Sequence, residues 1–305
     1  MLYEGMRRSE YPTPEVKPIP GVRGRLERFR AFPSRYVQPH RVDVWLPEAY
    51  QRDPQRRFPV IYMQDGQNLF VPEWSFAGVD WGLDEAIERL AASEGIGPAI
   101  VVGIWNTPAR VMEYMPARPM ALDPKGIHLK RFIERFGEAP ISDAYLKFMV
   151  YELKPFIDAV YRTRPEHTFT FAMGSSMGAL LSLYALCEYP EVFGGVACLS
   201  TSWTVSGRLF IPYLRMTFPQ ASGHRVYFDY GVEALIGRYE SYQRQVNRML
   251  MRKGYVQDDT WMTRRFAGAE HSERAWRERV EIPLRFLLRA VSGNKGANSP
   301  EGKNT

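Results

Sequence analysis

Short apolar segments alternate with stretches of helical periodicity through most of this chain, and that order restricts the folds it can adopt. Residues 98–106, PAIVVGIWN, are almost continuously apolar, as in a strand buried on both faces of a parallel sheet. Residues 81–93 instead repeat apolar side chains every three to four positions, which indicates a helix. Because strand-like segments come first and strands then alternate with helices, we predict an α/β fold with a mixed, mostly parallel central sheet and helices on both faces.

The pattern gives boundaries for each element. Predicted strands cover residues 24–32, 40–47, 58–66, 98–106, 168–173, 193–200, 225–231 and 260–266. Predicted helices cover residues 81–93, 143–161, 178–189, a segment that ends near 253, and 272–291. An aromatic-rich loop is expected up to residue 223.

No internal repeat or linker divides the chain, so we expect one domain over residues 21–291. Residues 1–20 contain four prolines and are expected to form an extended lead-in. Residues 106–142 look irregular and are too long for an ordinary connection, so they are a candidate lid or pocket wall. Residues 292–305 are small and polar, and we expect them to be disordered.

Composition excludes several classes of function. The longest apolar run, residues 99–105, is far too short to span a bilayer, and the polar start does not resemble a signal peptide. We therefore expect a soluble, cytoplasmic protein that does not act at a membrane. The net charge of +6 comes from scattered arginines without interleaved exposed aromatics, which argues against nucleic-acid binding. Cys187 and Cys198 lack metal-ligand spacing and are expected to be buried free thiols; no metal or organic cofactor is expected.

The segment GSSMG, residues 174–178, joins a predicted strand to a predicted helix and matches the G-x-S-x-G pattern of a nucleophile elbow. Such a turn needs small residues on both sides of the serine, which favours Ser176 over Ser175. The following helix directs its first amides towards the serine, so the Met177 N–H is a candidate oxyanion donor. The alternative is a tight strand-to-helix turn that carries serines by chance.

A serine nucleophile needs a base, and His271 is the best placed of the five histidines. It follows the last predicted strand, and in a parallel sheet that loop lies at the edge where Ser176 emerges. The other histidines are expected to be ordinary loop residues: His40, His128, His167 and His224.

The acid of a Ser–His–acid triad should come between the serine and the histidine. Glu233 lies just past the end of the strand at residues 225–231 and is the best placed to orient the imidazole. Asp229 lies within that strand, and Glu240 is expected on the solvated face of the next helix. Position alone leaves Glu233 and Asp229 both open.

A second oxyanion donor should come from the loop after an early strand, and DGQN at residues 65–68 provides one near Gln67. The Asp-Gly pair could also form a hairpin turn. The helical segment that follows favours a crossover to a parallel strand instead.

Taken together, these segments resemble the putative-esterase group of α/β-hydrolases, also called the esterase D family, over residues from about 41 to 288. The resemblance rests on ordered matches that include FPVIYMQDGQNLF, IVVGIWNTPARVMEYMP, GSSMGALLSLYAL and GAEHSERAW. It implies an α/β-hydrolase fold and a triad of Ser176, His271 and Glu233, with donors at Met177 and near Gln67. In many relatives the acid lies three residues after the strand-end glycine, whereas Glu233 lies two after Gly231, which leaves the acid open.

The resemblance also implies a pocket segment at residues 110–116. There Arg110, Glu113 and Tyr114 would contact substrate or order the segment against the site, and an ordinary ion pair is the alternative. Trp203 would line the acyl or alcohol side, or simply pack in the core.

We therefore expect a carboxylic ester hydrolase that acts on a small-molecule ester through an acyl-enzyme. Three other functions stay open: an acyltransferase to a sugar or lipid hydroxyl, a siderophore trilactone esterase, and a non-catalytic binding protein with the hydrolase fold. The sequence does not indicate an oligomeric state.

Overall fold

The computed structural model describes residues 12–231 and 236–292, in which nine strands form a single sheet. The strands are β1 (Glu15–Val16), β2 (Arg25–Phe32), β3 (His40–Leu46), β4 (Val60–Gln64), β5 (Ile100–Ile104), β6 (Thr170–Ser175), β7 (Gly195–Leu199), β8 (Arg225–Gly231) and β9 (Trp261–Phe266). Their spatial order is β1-β2-β3-β5-β4-β6-β7-β8-β9. The β1–β2, β2–β3 and β3–β5 pairs are antiparallel, and every pair from β5 to β9 is parallel. The predicted mixed, mostly parallel sheet is confirmed.

Helices cover both faces of this sheet. They are α1 (Glu48–Arg52), α2 (Leu83–Glu94), α3 (Arg110–Tyr114), α4 (Ala117–Met120), α5 (Ile127–Phe136), α6 (Ser142–Phe148), α7 (Lys154–Val160), α8 (Met177–Glu188), α9 (Trp203–Thr217), α10 (Ile236–Arg252), α11 (Glu273–Arg277) and α12 (Glu281–Ser292). A π-helical turn at Met149–Leu153 joins α6 to α7, and short 3₁₀ turns lie at Gly66–Asn68, Pro72–Trp74 and His167–Phe169.

The two cores lie on opposite faces of the sheet because successive strand residues point to opposite sides. In β4, Val60 and Tyr62 pack into the core under α6–α10, whereas Ile61 and Met63 pack into the core under α2 and α12. Continuous apolar strands are the expected consequence of burial on both faces. Cys187 and Cys198 are buried and free, as predicted.

Two loop predictions were wrong. The aromatic-rich segment before residue 223 contains helix α9, although Pro212 lies inside it. Trp203, Phe210 and Leu214 repeat at helical spacing and are fully buried, so packing outweighs the proline. The segment 106–142 is also not irregular, because it folds into α3, α4 and α5.

The predicted last helix is divided. It breaks at residues 278–280, between α11 and α12, and Pro283 lies in the first turn of α12, where its missing N–H costs little. The break turns Arg279 into the protein interior, where it is 4% exposed.

Parallel strands place the candidate site residues at one edge of the sheet. Asp65, Ser176 and His271 follow β4, β6 and β9 respectively, and these strands run in the same direction. The carboxyl edge of such a sheet is where open α/β folds build their sites. Within the described residues, no helix is long and apolar enough to cross a membrane. The division into lead-in, domain and tail stays a prediction, and residues 1–11 and 293–305 lie outside the described part of the chain.

Candidate active site

Ser176 occupies a strained turn between β6 and α8. Its backbone has φ 55° and ψ −118°, a region that residues with a side chain seldom adopt. The Ser176 N–H donates to the Leu199 carbonyl at 2.9 Å, and its own carbonyl accepts from Leu180 at 3.2 Å and from Ser202 at 3.1 Å. These bonds fix the serine at the head of α8, whose first N–H groups have no partner within the helix.

The two glycines of GSSMG are required by crowding. A Cβ on Gly174 would lie 2.7 Å from the carbonyl carbon of Gly178, and a Cβ on Gly178 would lie 3.0 Å from the Cβ of Gln64. A side chain at Gly174 would therefore clash with the backbone of the turn, and one at Gly178 would crowd the Gln64 side chain. This is the arrangement that the spacing of the motif predicted.

The two adjacent serines differ in surroundings. Ser175 is the last residue of β6 and is buried, at 7% exposure. The Ser176 side chain is half-buried, and its Oγ lies 2.9 Å from Oγ of Ser202. Ser202 was not identified from the sequence, although its position just after the strand ending at Leu199 was a signal that could have found it.

His271 lies in the segment between β9 and α11, with its ring edge-to-face against Trp276 at a centroid distance of 5.0 Å. Its imidazole makes no hydrogen bond to Ser176 or to any other residue that the structure describes. Although the residue retains exposed surface, surrounding protein atoms disfavour the charged ring. That desolvation and, secondarily, the charge of Arg279 lower the pKa of His271 below its usual 6.5. The ring therefore stays neutral at pH 6.5 and somewhat below it, and the neutral ring is the form that a general base needs.

A short chain of contacts connects the base to the serine. Trp276, which supports His271, donates its indole N–H to Oγ of Ser200 at 3.2 Å. Ser200 begins the turn that carries Ser202 against Ser176. Both predicted catalytic residues thus lie on the same edge and share one supporting turn.

The three candidate acids of the triad lie in different surroundings or outside the described residues. Glu233 lies outside the described residues. Asp229 is fully buried, and its two oxygens accept from Arg279 at 3.1 Å each, while the hydroxyl of Tyr227 donates to one of them. Burial raises the pKa of Asp229, and the Arg279 charge opposes that rise. Glu240 pairs with Arg265 at 3.3 Å. Asp229 is therefore committed to Arg279 and has no hydrogen bond to His271.

The loop after β4 approaches the site from the other side. A Cβ on Gly66 would lie 2.5 Å from the Gly103 carbonyl carbon, so this turn packs directly against β5. β4 and β5 are parallel, which confirms the predicted crossover and excludes a hairpin. Oε1 of Gln67 accepts from the Asn106 N–H at 3.2 Å, which ties the turn to the chain beyond β5.

Asn68 connects this loop to the segment that carries His271. Its side-chain amide donates to Glu273 at 3.5 Å, and its carbonyl oxygen accepts from the Phe76 N–H at 3.0 Å. Glu273 lies two residues after His271. The serine turn, the β4 loop and the His271 segment therefore border one another.

A sequence model of the family described as "putative esterase" matches residues 35–287. The chain belongs to this family. It is a carboxylic ester hydrolase by family.

Other proteins resemble this esterase in sequence or in fold. It is 25% identical to protein YbbA of Bacillus subtilis (strain 168) over 245 residues, which cover 78% of this chain and 86% of that one. In fold it resembles a ferulic acid esterase, with a TM-score of 0.62 at 15% identity, covering 91% of this chain and 99% of the other. It also resembles the enterobactin esterase of Shigella flexneri, with a TM-score of 0.64 at 18% identity over 93% of this chain. This esterase spans 62% of the length of the Shigella protein. The predicted α/β-hydrolase fold is confirmed.

Arg110 anchors the segment 106–142 of this esterase to the β4 loop. Its Nε and Nη2 donate to the two oxygens of Asp65 at 2.7 and 2.8 Å, and Asn106 donates to the same carboxylate at 2.6 Å. Asp65 itself has a left-handed φ of 55°. The fork geometry holds the segment rigidly to the turn that contains Gln67. Asp65 and Asn106 were not identified from the sequence.

Three predicted substrate contacts need correction. Glu113, Tyr114 and Trp203 are each 0% exposed, so they do not face a ligand in this structure. The carboxylate of Glu113 lies 3.2 Å from Nε2 of His40, and the Tyr114 hydroxyl accepts from the Asp65 N–H. These side chains support the segment from inside.

An apolar cluster from the same segment borders the serine turn. Met115, Met120 and Phe132 are buried, and the partly buried Met112 and Met177 pack against them. Met177 directly follows Ser176. Methionine side chains adapt to differently shaped apolar groups. In the described residues, no three His, Cys, Asp or Glu side chains are arranged to hold a metal ion.

Gly231 provides a test of how the His271 segment is placed. A Cβ at Gly231 would lie 1.9 Å from the carbonyl oxygen of Ala269, two residues before His271. We expect Gly231→Ala to displace that segment, to cost about 1–3 kcal/mol of stability, and to lower kcat/KM on a p-nitrophenyl ester about 100-fold. Thermal unfolding and steady-state kinetics measure both effects.

The matched control is Gly194→Ala, in which the new Cβ would lie 2.3 Å from the His167 carbonyl oxygen. That clash is at the opposite edge of the sheet, before β7. Similar destabilisation with nearly unchanged kcat/KM is expected there. Equal kcat/KM in the two variants would contradict the prediction.

Proposed function

We propose that this esterase cleaves its substrate through an acyl-enzyme on Ser176. The observation that carries the proposal is the strained backbone of Ser176 at the head of α8, flanked by two glycines at which a Cβ would crowd neighbouring atoms. Strain of this kind persists where surrounding structure enforces it and is concentrated at functional sites. The half-buried Oγ of Ser176 and the neutral imidazole of His271 supply a nucleophile and a base.

In the first step, Oγ of Ser176 forms a bond to the ester carbonyl carbon while its proton passes to His271. Negative charge develops on the carbonyl oxygen, and the N–H groups of Met177 and Gln67 are the proposed donors to it. The bond to the alcohol oxygen then breaks, and that oxygen takes the proton from His271. Water repeats the sequence on the acyl group and restores the free serine.

The hydrogen bond between Ser176 and Ser202 belongs to the resting state in this proposal. Hydrogen bonds between catalytic groups are often long or absent before substrate binds. The Ser176 hydroxyl then rotates from Ser202 towards His271 as the carbonyl arrives. Glu233 is the proposed acid, because Asp229 is committed to Arg279.

The methionine cluster beside Met177 favours an ester with an apolar group next to the carbonyl. Arg110 is already neutralised by Asp65, and Glu273 also lies nearby. The known charges around the site therefore do not favour a strongly anionic substrate. A panel of p-nitrophenyl acyl esters, aryl esters and a catecholate trilactone distinguishes these classes, and we expect the highest kcat/KM for uncharged apolar acyl groups.

Labelling with a fluorophosphonate tests the nucleophile directly. The expected result is one covalent adduct, located on Ser176 by peptide mass spectrometry, with loss of esterase activity in proportion to labelling. Heat-unfolded protein is the control for non-specific reaction. Activity that survives complete labelling of Ser176, or an adduct elsewhere that abolishes activity, would overturn the mechanism. Adding an acceptor alcohol to the assay separates acyl transfer from hydrolysis by its product.

A further inference from the structure

Arg279 is a buried cation whose donors are distributed over three elements. Its Nε and Nη2 donate to Asp229 of β8, Nη2 also donates to Oγ of Ser200 at 3.0 Å, and Nη1 donates to the Ala275 carbonyl of α11 at 3.2 Å. Its guanidinium carbon lies 5.0 Å from the centroid of the Phe266 ring at the end of β9. The guanidinium thus connects β8, the turn after β7 and α11.

Each of these contacts leads towards a catalytic group. Ser200 has a left-handed φ of 47°. Its Oγ accepts hydrogen bonds from Nη2 of Arg279 and from the indole N–H of Trp276. Two residues later, Ser202 contacts Ser176 through its backbone N–H and its hydroxyl. Trp276 in turn packs edge-to-face against the ring of His271. Ser200 is therefore the point at which the serine half and the histidine half of the site meet.

We propose that Arg279 is a positioning residue that acts through Ser200 and Trp276. It holds Ser176 and His271 at a fixed distance and orientation relative to each other, and Asp229 is its buried counter-charge. This inference rests on the proposed catalytic roles of Ser176 and His271. Neither Arg279 nor Asp229 touches the substrate in this arrangement.

A stabilising role alone accounts poorly for this pair. Buried ion pairs often add little net stability, because removing both charges from water costs about as much as their attraction returns. A guanidinium does provide five donors in a fixed plane, which suits it to hold several elements at defined angles. The N–H groups of Arg279 donate to Asp229, Ser200 and the Ala275 carbonyl, which fits that geometric role.

The charge of Arg279 also reaches the base. It adds to desolvation in lowering the pKa of His271, and Asp229 pairs with it on the β8 side. Glu270 and Glu273 flank His271 in its own segment, and Glu233 lies outside the described residues. Removing the Arg279 charge should therefore raise the pKa of His271 towards its usual 6.5.

The least disruptive test is Ser200→Ala, which removes the shared acceptor and leaves the ion pair in place. We expect kcat on a p-nitrophenyl ester to fall about 10-fold, with KM within about twofold, because misplacement affects the transition state more than binding. The matched control is Ser182→Ala, the same change at a fully buried serine that bonds only the Gly178 carbonyl within α8. We expect unchanged kcat in the control and a lower melting temperature in Ser200→Ala, where two buried donors lose their acceptor, so kcat is compared well below both melting temperatures.

A second variant removes both charges and leaves polar side chains at the two positions. In Asp229→Asn/Arg279→Gln, we expect the acid limb of kcat/KM to move up towards pH 6.5, together with a loss of kcat. A purely structural role would lower the melting temperature without moving that limb. If the double variant does not fold, Ser200→Ala decides the question.

The result that overturns the proposal is equal kcat in Ser200→Ala and Ser182→Ala. That outcome is separable from failure of the catalytic mechanism. If Ser176→Ala and His271→Gln abolish activity while Ser200→Ala behaves as its control, only the positioning role is wrong. If Ser176→Ala retains activity, the proposed mechanism itself is wrong.

Discussion

Ser176→Ala is expected to lower kcat/KM on a p-nitrophenyl ester by about 10⁴-fold or more, because alanine leaves no oxygen at the strained turn to form the acyl-enzyme. The backbone geometry of this turn comes from the glycine spacing and from backbone hydrogen bonds to Leu199 and Ser202, which the substitution leaves in place; only the bond from Oγ of Ser176 to Oγ of Ser202 is lost. The variant should therefore fold and bind substrate normally. Steady-state kinetics with active-site titration of the wild-type enzyme measure the loss, and a melting temperature close to that of the wild type verifies the fold.

Ser175→Ala is the matched control for that loss. Ser175 ends β6 and is buried, whereas Ser176 occupies the strained turn that follows. Its kcat/KM should remain within a few-fold of the wild type. A large loss in Ser175→Ala together with retained activity in Ser176→Ala would show that Ser175, and not Ser176, is the nucleophile.

The arrangement of the sheet could be predicted because it depends on local signals. A continuous apolar run marked β5, other strand-like segments marked β4, β6, β7 and β8, and the glycine spacing marked the turn between β6 and α8. Since parallel strands share a carboxyl edge, the position of His271 after the last strand also followed. Each inference used only residue type, spacing and order along the chain.

What the sequence did not reveal depends on long-range packing. Helix α9 forms despite Pro212 because its aromatic face is buried, and burial partners cannot be read from a single segment. Glu113 and Tyr114 looked like surface pocket residues, but they contact His40 and Asp65, which are distant in sequence. The same holds for the Ser200 contacts, which connect residues more than seventy positions apart.

Pro283 was a signal that could have located Arg279. Because proline is tolerated best in the first turn of a helix, Pro283 favours a new helix start shortly before it, within the predicted helix over 272–291. The break turns the charged residue that precedes Val280 inward. Finding its partners Asp229 and Ser200 still requires the three-dimensional structure, because one lies in β8 and the other in the turn after β7.

His271→Gln is expected to reduce kcat by about 10³- to 10⁴-fold and to remove the acid limb of the pH profile. In the wild type, activity requires the neutral ring. Because desolvation and Arg279 lower the pKa of His271, that limb should lie below pH 6.5. The lowered pKa of His271 also affects the free energy of unfolding. The contribution of His271 to stability is present above pH 6.5, the pKa in the unfolded chain, and is lost as the pH falls through the lower pKa of the folded protein.

The control for this variant is His167→Gln, at the opposite edge of the sheet before β6. It should keep the wild-type kcat and the same acid limb. A residual activity in His271→Gln that still shows the wild-type limb would mean that another group titrates, and His271 would then not be the base. An acid limb at or above pH 6.5 in the wild type would instead mean that the triad carboxylate, proposed as Glu233, outweighs desolvation and the Arg279 charge, which both lower the pKa of His271.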